Sequence, residues 1–252
     1  MSDLFWLSDA QMARLEPYFP KPHGRPRVDD RRVLSGIIFI NRNGLRWRDA
    51  PREYGPHKTL YNRWKRWSDR GVFARIMAGL AAEHGEETTV MIDATYLKAH
   101  RTASSLGVKK GGRGRLIGRT KGGMNTKLHA ICDSQGRPID LFLTAGPVSD
   151  YIGARALVGR LPNVKWLLGD RGYDADWFRE ALQDKKIHPC IPGRKQRKTP
   201  VRYDKRKYKR RNRIEIMFGR LKDWRRVATR YDRCPRTFFS AIALAATVIF
   251  WL

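Results

Sequence analysis

Tyr208-Lys-Arg-Arg-Asn-Arg-Ile-Glu215-Ile-Met-Phe-Gly-Arg-Leu-Lys222 is the stretch around which the rest of the chain is organised. At about 100° per residue it reads as one helix. Tyr208, Arg211, Glu215 and Lys222 then fall within about 60° of one another around the axis. Ile214, Met217, Phe218 and Leu221 form the neighbouring apolar stripe, so one side packs on a core. The edge beside it carries a carboxylate between two cations and a phenol. An acid fixed on a packed helix and surrounded by positive charge suits a metal ion that must meet a polyanion. The same spacing also serves an ordinary surface helix with salt bridges, so the stretch needs support from elsewhere in the chain.

Composition supplies some of it. The chain has 252 residues, 41% of them hydrophobic, and a formal net charge of +28. That length and apolar share allow one large domain, or one domain plus a small one. A charge so large and one-signed predicts a polyanionic partner, nucleic acid first and an anionic membrane surface second. Aromatic residues interleaved with the cations favour nucleic acid. Cys132, Cys190 and Cys234 lie far apart with no CxxC pair. Neither a zinc ribbon nor a disulfide framework is therefore suggested, and a reducing, intracellular compartment fits. Met1-Ser-Asp-Leu-Phe-Trp6 lacks the basic and apolar regions of a secretory signal. The apolar tail from Ser240 falls short of the roughly 20 residues a membrane span needs and reads as a last core element.

Working outward, residues 1–87 read as helical and basic. Ser8 or Asp9 caps a short helix with Met12 and Leu15, ended by Pro17. Lys21-Pro-His-Gly-Arg-Pro-Arg27 is a proline-broken basic connector. Asp29 or Asp30 caps a second helix through Val33 to Ile40, stopped by Asn43-Gly44. A third helix starts near Thr59, with Leu60, Trp64 and Trp67 inward and Arg63, Lys65 and Arg66 pointing elsewhere. After Gly71, Val72 to Ala82 makes a fourth. A basic helix after a Gly/Pro turn is the pattern of a helix-turn-helix reader, with Arg63, Lys65 and Arg66 as candidate phosphate contacts.

The character changes at residue 88. Thr88-Thr-Val-Met-Ile-Asp93 is a β-branched run ending on an acid. Residues 102–123 are rich in Gly, Lys and Arg, including Lys109-Lys-Gly-Gly-Arg-Gly-Arg115, and suit a basic loop beside a site. Lys127 to Cys132 and Pro138 to Thr144 form a hairpin around Asp133-Ser-Gln-Gly136; His129 within it reads as a strand residue rather than a ligand. A helix from Asp150, a strand Val164 to Gly169 ending at Asp170, a helix from Asp174 and a short strand Ile187 to Ile191 follow. Residues 194–213 are dense in Lys and Arg against the single acid Asp204, a run that repels itself unless an anion neutralises it.

Asp93 and Asp170 thus end hydrophobic strands, and Glu215 sits on a late helix. The order predicts an α/β (α+β) fold, a mixed sheet with flanking helices behind a small helical domain. In that order three carboxylates can converge, and without a cation they would repel. Oxygen ligands with few histidines favour Mg²⁺ or Mn²⁺ over zinc. Two such ions ~3.5–4 Å apart serve in-line phosphodiester displacement. Asp at a strand end is also a common turn former, which makes Asp133, Asp150 and Asp174 rivals by position.

The spacing Tyr208-x2-Arg211-x3-Glu215-x6-Lys222 resembles the signature of DDE transposases of bacterial insertion sequences. Asp93-Ala-Thr-Tyr-Leu-Lys-Ala-His100 and Gly169-Asp-Arg-Gly-Tyr-Asp174 look like the other two motifs, and the best match is the family-five type within the wider family-four/family-five group. The resemblance covers nearly the whole chain. It implies a helical DNA-binding domain over residues 1–87 and an RNase H-like catalytic domain over 88–252. It implies Asp93, Asp170 and Glu215 as the catalytic, metal-binding triad for two Mg²⁺ ions, with Mn²⁺ able to substitute. Lys222, Tyr208 and Arg211 would contact DNA near the cleaved phosphate. The partners implied are the element's terminal inverted repeats and target DNA, held by a homodimer on paired ends in the bacterial cytoplasm, at the nucleoid. Two other functions share some of these features: a DNA-binding regulator with an inactive nuclease-like core, and a non-transposing RNase H-like nuclease.

Overall fold

The computed structural model describes residues 3–21, 28–85, 87–105 and 114–252. Most of the Lys21–Arg27 connector, and residues 106–113 of the basic loop, lie outside the described residues. The chain divides into two compact units, one of Met1–Leu80, His100–Ser105 and Leu221–Leu252, the other of Ala81–Ala99 and Leu106–Arg220.

The first unit is helical. It contains α1 (Asp9–Leu15), α2 (Asp30–Asn43), α3 (His57–Asp69), nearly all of α4 (Val72–Ala82) and the single turn α5 (Arg101–Ser104). Ser8 and Gln11 form a reciprocal capping box on α1, Asp29 accepts the Arg31 N–H at the start of α2, and Gly44 closes α2 at φ +69°. Gly71, at φ +66°, separates α3 from α4. Trp64, Trp67 and Phe73 pack ring on ring in the core.

Two later elements belong to this unit, the turn α10 (Arg225–Ala228) and the helix α11 (Pro235–Phe250). Packing therefore departs from the sequence division at residue 87. The reason lies in α11, which is buried on almost every face from Thr237 to Thr247. A helix apolar all round needs cover on several sides, and α11 finds it against α2, α3 and α10.

The second unit is a mixed sheet of β1 (Thr89–Ala99), β2 (Gly118–Thr120), β3 (Gly123–Cys132), β4 (Pro138–Ala145), β5 (Trp166–Gly169) and β6 (His188–Cys190). β1 is central, antiparallel to β3 and parallel to β5; β6 follows β5 in parallel, while β2 and β4 pair with β3. The predicted mixed sheet with flanking helices is thus present. Helices α6 (Asp150–Val158) and α7 (Asp176–Asp184) contribute Ala154, Leu157, Phe178 and Leu182 to a core with Val90, Ile92 and Leu167.

One expected boundary moves. Asp93 does not end its strand: β1 runs on to Ala99, held by β3 as far as Lys98 opposite Asn125. What ends near Asp93 is the parallel pairing with β5, whose last pair is Ile92 with Gly169. The single helix expected over Tyr208–Lys222 is also divided. α8 (Lys205–Tyr208) passes through a 3₁₀ turn at Lys209–Arg211 into α9 (Asn212–Lys222). Like charges at i,i+4 disfavour regular helix, and the Lys/Arg run tightens to i→i+3 geometry there.

Candidate active site

The register sets the site. With Ile92 opposite Gly169, the next residues along the two parallel strands are Asp93 and Asp170. Each carboxylate has one oxygen pinned by backbone. Asp93 Oδ1 accepts the Ala94 N–H at 2.8 Å, and Asp170 Oδ1 accepts the Gly172 N–H at 2.8 Å. A Cβ on Gly172 would lie 2.8 Å from that oxygen, so the turn needs glycine for this close approach. The Asp93 side chain is only 18% exposed. Burial pushes its carboxyl up to about 6; the Ala94 N–H and the Arg211 charge pull down, and the Asp170 charge pushes up again. The two aspartates therefore feel each other as like charges in a half-dry site.

Glu215, on the first turn of α9, is more open, with 56% of its side chain exposed. It meets Asp93 through a third residue. Arg211 Nη1 donates to Asp93 Oδ2 at 2.8 Å, while Nη2 donates to Glu215 Oε1. The guanidinium, 16% exposed, lies 5.8 Å from the Tyr208 ring centroid. Burial works against its charge, but Asp93 and Glu215 outweigh that and raise its pKa. Among the described residues, no group of three His, Cys, Asp or Glu side chains is arranged to hold a metal. The structure brings Asp93 and Asp170 side by side and links Glu215 to Asp93 by an arginine. The residue types suit a hard divalent cation. Asp93 and Asp170, adjacent where the β1–β5 pairing ends, could hold one, with Glu215 tied to Asp93 through Arg211.

The rival acids have structural work. Asp133 binds the Gln135 and Arg137 N–H groups and the Arg137 guanidinium in the hairpin turn. Asp150 takes the Lys127 ammonium at 3.0 Å. Asp174 is fully buried; burial pushes its carboxyl up, but the Arg194 N–H, Arg179 and Arg197 hold it below its ordinary value. His129 is a packed strand histidine stacked on Phe142, and burial drives its pKa down to about 4.

The candidate DNA contacts divide. Arg63 does not point outward. Its side chain is 10% exposed, pairs with Asp30 and lies over the Trp67 ring at 5.2 Å, so it is a packing residue. Asp30, at the start of α2, supplies its counter-charge from a partly buried position. Lys65 is exposed enough to meet a phosphate but is held by both oxygens of Asp69 at 2.6 Å; Arg66 is exposed. Lys222, the last residue of α9, is grouped with the first unit, and burial lowers its pKa.

One residue escaped the sequence reading. Tyr173, within the Gly169–Asp174 motif, is buried, and its hydroxyl has no hydrogen-bond partner. Burial, and to a lesser extent the charges of Asp93, Asp150 and Asp170, push its pKa well up. Its position three residues past Asp170 was visible in the sequence; its inward orientation was not.

The sheet, its flanking helices and two aspartates meeting on neighbouring strands define an RNase H-like enzyme. The fold is shared with the piggyBac transposase in its synaptic complex with hairpin DNA, at a TM-score of 0.56 and 9% identity over 94% of this chain and 68% of that one. Residues 84–251 match the family described as the transposase DDE domain, and residues 7–77 match the putative transposases of the IS4/5 family. The chain belongs to the DDE transposases of insertion sequences, enzymes of metal-dependent DNA cleavage and transfer. It is 35% identical over 130 residues to the putative transposase for insertion sequence element IS6501 of Brucella ovis, covering 51% of this chain and 99% of that protein. It is 36% identical over 110 residues to the uncharacterized protein y4sN of Sinorhizobium fredii, covering 42% of this chain and 87% of that protein. Among the described residues, no helix is long and apolar enough to cross a membrane.

Proposed function

We propose that Asp93, Asp170 and Glu215 are the catalytic triad of this transposase, which nicks DNA at the element's ends and joins the released 3′-hydroxyls to target DNA. The observation that carries this is the crowding of Asp93 against Asp170 at the point where β1 and β5 part. The three carboxylates would hold two Mg²⁺ ions, or Mn²⁺ in their place, which supply activation of the attacking oxygen and stabilisation of the leaving one. The backbone N–H groups of Ala94 and Gly172 fix one oxygen of each aspartate, which orients the pair before DNA arrives. Partial burial keeps bulk water from screening their charge.

Around this centre Arg211, Tyr208 and Lys222 hold the DNA backbone near the cleaved phosphate. The helical part, residues 1–87, binds the terminal inverted repeats, with Lys65 and Arg66 on its phosphates; residues 88–252 carry the chemistry. The working form is a homodimer on paired ends, acting on double-stranded DNA in the bacterial cytoplasm at the nucleoid. The overall charge of +28 supports so extended a DNA surface.

The test is a cleavage and joining assay with the purified full chain, a duplex carrying the element's ends, and Mg²⁺ or EDTA. Metal-dependent 3′-hydroxyls at the element boundary, lost in Glu215→Ala, are expected. Tight end binding without cleavage in Mg²⁺ would leave a DNA-binding regulator instead.

A further inference from the structure

We propose that Arg211 is a built-in counterion that competes with the divalent metal for Asp93 and Glu215, so that metal entry releases the guanidinium to bind a DNA phosphate. This rests on the assignment of Asp93 and Glu215 as metal ligands.

The geometry makes the competition direct. One planar guanidinium spans two carboxylates, one nitrogen on each: Nη1 to Asp93 Oδ2 at 2.8 Å and Nη2 to Glu215 Oε1. The other Asp93 oxygen is already committed to the Ala94 N–H. Oδ2 is the oxygen that the backbone leaves open, and Arg211 sits on it. A guanidinium has five N–H donors and no lone pair to offer a metal. It cannot become a ligand, and its own positive charge repels an incoming cation. Metal and Arg211 therefore compete for the Asp93 and Glu215 carboxylates through like-charge repulsion in a partly buried site.

The contact also has a reason to exist. Asp93 is mostly buried and faces the Asp170 charge. Without a cation such a pair is costly, and Arg211 supplies one from within the chain. Its reach to Glu215 is short-range, at i,i+4, but its reach to Asp93 crosses 118 positions of sequence. The bridge therefore ties the late helix to the central strand while the metal is away.

Once displaced, the guanidinium stays on the 3₁₀ turn beside Tyr208 and the exposed cations Lys209, Arg210 and Arg213. A planar fork freed from two carboxylates suits a phosphate, which it can grip with two parallel N–H bonds. Metal and DNA then favour each other through one residue. Metal releases Arg211 for the phosphate, and a phosphate that holds Arg211 leaves the carboxylates open. Linkage requires the two effects to be equal in size.

The test measures metal binding, not turnover. Free Mn²⁺ is followed by electron paramagnetic resonance as it is titrated into the full chain, with and without an uncleavable end duplex. The variants are Arg211→Ala, Arg211→Lys and Asp93→Ala. Without DNA, Arg211→Ala is expected to bind Mn²⁺ about tenfold more tightly than the natural chain, within the usual size of such couplings. Arg211→Lys keeps the charge but cannot span both acids, so it should fall between them. In the natural chain the duplex should tighten Mn²⁺ by a similar factor, and in Arg211→Ala that gain should vanish. Equal or weaker Mn²⁺ binding by both Arg211 variants overturns the proposal, as does a duplex effect that survives Arg211→Ala. If Asp93→Ala abolishes Mn²⁺ binding in either case, the ligand assignment stands although the competition fails. If Asp93→Ala changes nothing, the ligand assignment and the competition fall together.

Discussion

Arg63 and Arg211 lie on basic helical segments of the two units, each paired with an aspartate, and sequence spacing gives them equal claims on DNA. Their surroundings separate them. Arg63 meets Asp30 and covers the Trp67 face beside the helical core. Arg211 faces Asp93 and Glu215, and burial, with a smaller push from the Asp170 charge, still holds the Asp93 carboxyl up at about 6. The first arginine is packed against a ring and an aspartate. The second is shared between two carboxylates, one of which also feels the charge of a third. A buried arginine is structural where its charge is balanced, and its neighbourhood is a functional candidate where acid remains in excess.

The sharpest way to break this contrast is to remove the acids. Asp93→Ala, Asp170→Ala or Glu215→Ala should each lower end cleavage by at least about a thousandfold, as expected where residues act as one unit. Duplex affinity in a gel shift without metal should hold or rise, because each change removes negative charge from the DNA surface. Cleavage that persists in any one of them removes that carboxylate from the triad.

Arg63 should respond in the opposite sense. Arg63→Ala leaves Asp30 in a partly buried place and opens the Trp67 face. The expected cost is about 1–2 kcal/mol of folding stability, below the range for a fully buried pair because Asp30 is partly exposed. Affinity for end DNA per folded molecule should stay unchanged. Denaturant unfolding paired with a binding titration on the folded fraction checks both halves. A loss of DNA affinity with unaltered stability would return Arg63 to the DNA surface.

Asp93 offers a test by pH. Its folded pKa, about 6, lies above the ordinary aspartate value, so the neutral form is the one the metal-free fold prefers. Stability from this group is full below the unfolded pKa and is lost as pH rises through the folded value. In EDTA, Asp93→Asn should therefore stabilise the protein at pH 7–8 by on the order of 1–3 kcal/mol, and the gain should fade toward pH 4. Thermal unfolding across that range measures it. A destabilising effect at pH 8 would mean that Arg211 fully compensates the Asp93 charge.

Much of the architecture was legible because local chemistry marks it. Gly71 and Gly44 punctuate the first helices, Asp133 to Gly136 closes the hairpin, and Ser8 with Gln11 caps α1. Where such marks are missing, the reading slipped. α3 begins at His57 behind Pro56, which offers no side-chain cap, rather than near Thr59. β1 seemed to stop at Asp93 because a polar residue ended an apolar run, yet pairing with β3 carries it on to Ala99. The link between Glu215 and Arg211 was visible as an i,i+4 pair. The link from Arg211 to Asp93 was not, because it depends on how the late helix folds back across the sheet. The same limit hid the grouping of α11 with the first helices, since a helix apolar all round does not state its partner.

The smallest expected effect concerns Arg66, three residues from Arg63 on α3. At 100° per residue these two lie only about 60° apart around the helix, yet Arg66 is exposed while Arg63 is buried. Lys58 and Asn62 are exposed with it, giving α3 an outward polar stripe. Arg66→Ala should leave the unfolding midpoint within experimental error, because no core contact is lost. It should weaken end binding severalfold and lower the slope of log affinity against log salt by about 0.9, the loss of one phosphate contact. Lys65→Ala should do less, because Asp69 already holds the ammonium that a phosphate would have to win over. Titration of an end duplex at several salt concentrations separates the cases. An unchanged slope for Arg66→Ala moves the DNA-reading surface off α3, and it leaves the carboxylate site untouched.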